Sequence, residues 1–497
     1  MERYVALLLN FLLFVLLSRL LTPAEIGIIQ LGAIVTILAD TVRDVGIGAY
    51  LVQKRELSAA DVRTAFTFAL LFSAVAAALV FTYAGSIAGF YDEPALQTFL
   101  RVIAPTFLLT PFSGIPFALM QREMAFGNIA SIHVAGWLLN FASITVLALL
   151  GFSYMSVAWA AWVLSTAFVV LGLRVRPDLS PFRITFRGWR SVLSFSRYSA
   201  VPQFLHRTYD FLPSLVVGRL ISIEALGLFD RAAKMSELPQ KIGTIGVQAV
   251  ALPGFANEVR SGHSLKQAYL TAIEHVTAVQ WPGCLLLVLL AGPIVQILLG
   301  PRWAAVVDLV RIIAVALLAN FSQALTGAVL VAAGHVRDTM LIALLALPVM
   351  ALLFVMASLQ GLFVAAASLI AIGLLRALIS NAFVCRRLAI SRNEIAGPLL
   401  RSLAVTAMAM AAPLAIVALN GFDLHFGIAV AILIGAVTVP GWLAGLWVTR
   451  HAFGPEILRA LHHAQRHPKT ARLIASFAPL LGRAGKAEPA PKANSES

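Results

Sequence analysis

Charge is scarce in this chain. Only 12% of its 497 residues are Asp, Glu, Lys or Arg, about half the share of an ordinary soluble domain and too few to solvate a soluble surface. Cysteine is scarcer still. Cys284 and Cys385 both lie in apolar stretches, which leaves no disulfide framework or thiolate zinc site and makes each a small buried hydrophobe. Catalytic signatures are missing as well: the sequence has no Gly-rich phosphate loop, paired-His zinc helix, nucleophile elbow or acidic metal cluster. No enzymatic constellation, metal or cofactor is therefore expected. What fills the chain is apolar, 60% of all residues with a mean hydropathy of +0.88, the composition of a membrane protein.

Apolar runs of the length that spans a bilayer as helix, about 20 residues, occur fourteen times. They lie at 4–21, 25–50, 62–84, 98–119, 128–150, 153–173, 191–217, 222–250, 270–292, 304–333, 338–357, 360–384, 400–420 and 424–449. The expected fold is all-α, a polytopic membrane protein of about fourteen transmembrane helices. The runs 98–119 and 304–333 are the most interrupted, by Arg101, Asp308 and Arg311. The first run has almost no basic n-region and no small-residue cleavage site, so it reads as a retained anchor.

A net charge of +14 would elsewhere suggest nucleic acid, but the bases fall in alternate loops. One set carries Lys54, Arg55 and Arg63; Arg122; Arg174, Arg176, Arg183, Arg187 and Arg190; Arg260 and Lys266; Arg337; and Arg386, Arg387, Arg392 and Arg401. The other set, around Thr22–Glu25, Tyr91–Glu93, Gly151, Ser222–Glu224, Pro301–Arg302 and Gly421–Asp423, is nearly free of base. The positive-inside rule then puts both termini in the cytoplasm and accounts for the charge with no nucleic-acid partner. Residues 451–497 read as a basic cytoplasmic tail, partly disordered, whose Arg450 to Arg483 part can lie on membrane lipids.

The chain also repeats itself. Arg19-Leu20-Leu21-Thr22 followed by Ile26-Gly27 matches Arg219-Leu220-Ile221-Ser222 followed by Leu226-Gly227 at an offset of 200. Each copy joins two expected spans on the base-poor side, and the second span of each pair carries charges and then a glycine, Gly46 or Gly246. Two six-helix halves of like topology form a parallel repeat about an axis along the membrane normal. The expected organisation is an N-lobe over 1–185, a C-lobe over 186–388, and two extra helices over 389–450.

The stretch Ser18-Arg19-Leu20-Leu21-Thr22-Pro23-Ala24-Glu25-Ile26-Gly27 resembles the Arg-Leu-Leu-Ser/Thr-Pro-x-Glu-hydrophobic-Gly signature of polysaccharide (Wzx-type) flippases. These belong to the multidrug/oligosaccharidyl-lipid/polysaccharide exporter superfamily. Leu38-Ala39-Asp40, Asp44-Val45-Gly46-Ile47-Gly48 and Leu51-Val52-Gln53 resemble the family's Asp-x-Gly-hydrophobic-Gly stretch. The resemblance implies a bacterial inner-membrane flippase for an undecaprenyl-diphosphate-linked oligosaccharide, working by alternating access. Its partners would be the lipid-linked oligosaccharide, membrane lipids, and the polysaccharide polymerase and chain-length machinery.

Charges inside apolar spans are the informative residues, since each costs about 2.5–3.5 kcal/mol in lipid on the insertion scale. Asp230, Lys234, Glu237 and Lys241 are spaced 4, 3 and 4 apart, so they share one helical stripe that faces either a hydrated cavity or its own i,i+4 ion pairs. Asp40, Arg43 and Asp44 are the first-half counterpart, and His206, Arg207 and Asp210 lie between Pro202 and Pro213, which can open backbone groups to a cavity. Arg101, Arg311 and Arg376 complete the set. Arginine and lysine suit a diphosphate. Candidate head-group contacts are Arg43, Arg207, Arg231, Lys234 and Lys241, with Asp40, Asp44, Asp210, Asp230 and Glu237 setting their charge or carrying a coupled cation. Alternatives are a lipid-linked peptidoglycan-precursor flippase or a cation-coupled drug exporter of the same superfamily, a membrane-embedded glycan polymerase or transferase, and a structural partner. A polymerase would need a sizeable outer loop, and none is visible.

Overall fold

The computed structural model describes residues 2–43, 46–178, 182–186, 207–424 and 426–454. Among these the secondary structure is helical, as expected where hydrocarbon offers the backbone no other hydrogen-bond partner. The helices of the first half are α1 Glu2–Leu20, α2 Pro23–Arg43, α3 Ile47–Gln53, α4 Ala59–Phe90, α5 Pro94–Ile103, α6 Thr110–Arg122, α7 Phe126–Leu149 and α8 Met155–Val175. The second half follows with α9 over 207–220, α10 Ile223–Ser236, α11 Leu238–Arg260, α12 Leu265–Leu298, α13 Val306–Leu317, α14 Gln323–Ala332, α15 Val336–Ser358 and α16 Leu362–Arg387. Helices α17 Arg392–Leu419 and α18 Ile428–Val448 complete the bundle. Local chemistry sets several starts: Ser58 with Asp61 and Ser391 with Glu394 close capping boxes on α4 and α17, and Ser222 caps α10.

Eleven helical segments are long and apolar enough to cross a membrane, so the protein is a multi-pass membrane protein. The remaining three of the fourteen expected runs coincide with the shorter apolar helix Tyr4–Leu20, with α9, whose run begins before the described residues, and with the charged pair α10–α11. Two expected single spans are broken. The run 25–50 ends as a helix at Arg43 and restarts at Ile47, because Gly46 is left-handed at φ 78°, a conformation glycine adopts freely. The run 222–250 is divided at Glu237, since Pro239 supplies no N–H to the preceding turn. The two interrupted runs are spans of a particular kind: 3-10 turns at Ala104–Leu109 and Leu318–Ser322 separate α5 from α6 and α13 from α14.

Side-chain contacts sort the connections into two ends as the alternating charges require. At one end Arg122 donates to the carbonyls of Leu51 (2.9 Å) and Arg55 (3.0 Å), Arg176 pairs with Glu123 at 2.6 Å, and Lys266 pairs with Glu394 at 2.6 Å. The Lys54 ammonium there is held above its ordinary pKa by its bond to Asp61, 2.6 Å away. We call this the basic end. At the opposite, base-poor end the connections after α1, α4, α7, α9 and α12 meet: Glu25 accepts from Ser153, Arg219 pairs with Asp92 at 2.9 Å, and the Trp303 indole N–H donates to the Ser18 carbonyl at 2.7 Å.

The halves join along α2 and α10. A Cβ on Gly27 would stand 2.0 Å from the Ile223 carbonyl oxygen, and one on Gly227 would stand 1.9 Å from that of Pro23. Gly27 and Gly227, and likewise Pro23 and Ile223, are 200 residues apart, so the contact is self-complementary under the sequence repeat. Small residues let two helical backbones approach within a bilayer where larger ones would hold them apart.

Candidate functional site: a charged cavity inside the bundle

A cavity of about 440 Å³ is enclosed by α9, α10, the start of α11, α13, α15 and α16, with Gln30 contributed by α2 of the first half. Along α10 and α11 its lining runs from Phe229 to Lys241, roughly 9–27 Å from Ile223 at the base-poor end at 1.5 Å per residue, and Arg376 on α16 lies roughly 21 Å from Leu362. That is membrane depth. Its lining includes the carboxylates Asp210, Asp230 and Glu237 and the bases Lys234, Lys241 and Arg376, beside Tyr209 and Asn320.

The α10 stripe serves both roles its spacing allows. Lys234 pairs with Asp230 at 2.8 Å and Lys241 with Glu237 at 2.9 Å, while all four side chains line the cavity. Asp230 is 4% exposed, so its carboxylate depends on the Lys234 ammonium for compensation. Lys234 is half-exposed to the cavity and also donates to Gln30 Oε1 at 3.3 Å, across the seam between the halves. Arg376 extends from α16 with its guanidinium 6.0 Å from the Tyr209 ring. A surface with mobile ammonium groups, a guanidinium and nearby carboxylates can bind phosphate oxygens and sugar hydroxyls at once.

The other expected site residues are placed differently. Arg231, one position from Asp230, points about 100° around α10. It is 4% exposed, with its guanidinium 4.7 Å from the Phe14 ring and 6.0 Å from Trp303, and it is not among the residues lining the cavity. Asp40 is half-buried on α2, and Arg207 is exposed at the start of α9; neither lines the cavity. Arg43 ends α2, its side chain falls outside the described residues, and Asp44 and His206 lie outside them altogether. Arg101 stacks over Phe81 at 5.7 Å. Arg311 pairs with Asp308 at 2.9 Å in a separate recess at the base-poor end beside Phe426 and Gly427. His133 is half-buried and packs in an aromatic cluster with Phe117, Trp137 and Phe168. Gln30, Tyr209 and Asn320 were not singled out in the sequence; Gln30 and Asn320, polar residues inside apolar runs, carried the signal that could have found them.

The family described as "Polysaccharide biosynthesis protein" matches residues 16–308, more than half of the chain. The chain belongs to this family. As a polysaccharide biosynthesis family protein it is similar to the "Teichuronic acid biosynthesis protein TuaB" of Bacillus subtilis, 23% identical over 325 residues, 65% of this chain and 67% of that protein. It is also similar to the "Lipopolysaccharide biosynthesis protein WzxC" of Escherichia coli, 22% identical across 60% of this chain and 61% of that one. The "Succinoglycan biosynthesis transport protein ExoT" of Rhizobium meliloti is 24% identical, with 60% of each chain covered. The matches thus span from three-fifths to two-thirds of the length of these relatives.

Among solved structures, "Lipid II flippase MurJ, inward closed conformation" superposes with a TM-score of 0.70 at 11% identity, covering 90% of this chain and 97% of that one. An inward-facing multidrug resistance MATE family transporter of the MOP superfamily gives 0.62 at 15%, covering 77% and 94%. The polysaccharide biosynthesis family protein therefore shares the all-α membrane fold of these two structures, as its first-span signature implied.

Proposed function

We propose that this protein is a flippase that moves an undecaprenyl-diphosphate-linked oligosaccharide from the cytoplasmic to the outer leaflet of the bacterial inner membrane, by alternating access, for polysaccharide assembly. The observation that carries the reading is the base-bearing cavity at membrane depth in a chain of the polysaccharide biosynthesis family. A diphosphate with sugars attached cannot cross about 30 Å of hydrocarbon unaided. A cavity with Lys234, Lys241 and Arg376 supplies the phosphate with charge while the polyprenyl tail stays in lipid. Asp230 and Glu237 hold Lys234 and Lys241 in place, and with Asp210 they accept hydrogen bonds from sugar hydroxyls. Arg43 and Arg207, toward the basic end of their helices, meet the head group as it enters; Asp40 and Asp44 are the carboxylates suited to a coupled cation. Arg231 anchors α10 against α1.

The test is transfer of a fluorescent undecaprenyl-diphosphate oligosaccharide between leaflets of proteoliposomes, read by its loss from an impermeant reagent. Transfer is expected for the oligosaccharide and reduced for lipid-linked peptidoglycan precursor; no transfer above empty liposomes overturns the reading.

The basic end faces the cytoplasm in this proposal, and so do both termini. In variants lacking Cys284 and Cys385, single cysteines beside Asp92 and Asp423 are expected to react with an impermeant thiol reagent added outside intact cells. Cysteines beside Arg183 and Arg387 should react only after permeabilisation. The opposite pattern at either pair reverses the orientation.

A further inference from the structure

We infer that Arg19 and Arg219 are paired positioning residues that latch the two halves shut over the cavity, each copy of the repeat locking the other half. The inference rests on the proposed transport path and its orientation. Arg19, at the end of α1, reaches into the second half and donates to the carbonyls of Gln296 (3.4 Å), Ile297 and Leu298 (3.3 Å) in the last turn of α12. Those carbonyls have no partner within their own helix, and they form the negative end of its dipole. Arg219, 200 residues later, does the converse. Its guanidinium lies 5.0 Å from the ring of Phe90, the last residue of α4, and pairs with Asp92 just beyond at 2.9 Å. Helices α4 and α12 follow α2–α3 and α10–α11, so each arginine engages the end of the corresponding helix in the opposite half.

The neighbours obey the same relation. Trp303, fully buried beyond the end of α12, donates to the Ser18 carbonyl beside Arg19. Tyr91, beyond the end of α4, packs within 3.4 Å of where a Cβ on Gly218, beside Arg219, would stand. Inward of the latches lies the Gly27–Gly227 crossing, and three residues deeper on each helix come Gln30 and Asp230, both bonded to Lys234. Latch, seam and cavity roof therefore follow one another from the base-poor end inward. The cross-lobe contacts of the two arginines belong to the closed arrangement, and opening toward the base-poor side must break both sets.

The latches are also the part of this closure that single side-chain changes can release. Arg19 is exposed and Arg219 is 43% exposed, so a polar replacement leaves neither a cavity nor an unpaired buried charge, unlike a change at Trp303 or the glycines. Loss of charge-assisted bonds should then move the open–closed equilibrium with the fold retained.

The test reads access to the cavity and needs no substrate, so it fails or stands apart from the transport reading. In membrane vesicles of defined orientation, the full chain lacking Cys284 and Cys385 carries Asn320→Cys as reporter. Arg19→Gln and Arg219→Gln should each raise labelling from the base-poor side about tenfold, with Arg219→Lys near the parent rate because it keeps a cation for Asp92. Labelling unchanged in both Gln variants, with residue 320 still reactive from the basic side, overturns the latch. A second measurement covers variants that fail to insert: Asp92→Cys with Arg219→Cys should be joined by a short bifunctional thiol reagent in most molecules, suppressing base-poor-side labelling to background. Failure of that pair to cross-link also overturns it.

Discussion

Lys234→Ala is expected to lower transfer of the lipid-linked oligosaccharide at least about tenfold in proteoliposomes, the effect of losing a single charge-assisted phosphate contact. Lys234 has three demands on its ammonium: the buried Asp230 carboxylate at 2.8 Å, the Gln30 amide oxygen at 3.3 Å, and the cavity to which it is half-exposed. Removing it alone leaves Asp230 buried without the ammonium it bonds, a change that can destabilise a protein by up to about 3–5 kcal/mol. The informative comparison is Asp230→Ala with Lys234→Ala, which removes both charges and relieves that penalty. If the double variant reaches the membrane in normal amount and transfers substrate at the parent rate, the ion pair is structural and the cavity loses its main support as a head-group site. Lys241→Ala and Arg376→Ala give an independent reading, because Glu237 is 44% exposed and stays hydrated when its partner goes. Both are expected to weaken transfer several-fold with the amount of protein unchanged.

Gly227→Leu is expected to abolish assembly of the folded bundle, and Gly27→Leu to do the same. Even the first atom of a side chain at 227 would fall 1.9 Å from the Pro23 carbonyl oxygen, and at 27 it would fall 2.0 Å from that of Ile223. Side-chain overpacking costs about 1–3 kcal/mol because neighbours can rotate away. Here the obstacle is backbone, so relief requires α2 and α10 to separate along their whole crossing. Extraction and size-exclusion of the Leu variants should recover at most about a tenth of the parent yield as monodisperse protein, on the view that each 1.4 kcal/mol shifts an equilibrium tenfold. Gly89→Ala on α4 is the control, since nothing lies within 4 Å of a Cβ there. Full recovery of Gly227→Leu would mean that the α2–α10 crossing is not as close as the structure has it.

Much of this molecule can be read along the chain because membrane burial acts on one dimension. Composition and run length fixed the all-α membrane class, and alternate basic loops sorted the connections into the same two ends that Arg122, Lys266, Arg219 and Trp303 hold together in space. The i,i+4 spacing of Asp230 with Lys234 and Glu237 with Lys241 foretold both ion pairs. The offset of 200 between Gly27 and Gly227 marked as alike two segments that meet in the fold. Local conformations were less visible: a left-handed Gly46 breaks the second run, and 3-10 turns break two others. Hydropathy averages over such turns, because it counts side chains and not backbone angles.

Which way a side chain faces was decided only in three dimensions. Arg231 and Lys234 look equally suited to phosphate in the sequence, yet one stacks on Phe14 and the other lines the cavity. The difference is the azimuth of α10 against its neighbours, and packing sets that azimuth. Arg376 joins Lys234 from another helix, and Gln30 does so from the other half, 204 residues away. The repeat itself acquires meaning only in the fold. In the sequence it is two similar segments, and in the structure each glycine admits the other segment's backbone while each arginine ends the other half's helix. Period and composition are properties of one segment, whereas a close approach depends on two segments meeting, which only the folded bundle specifies.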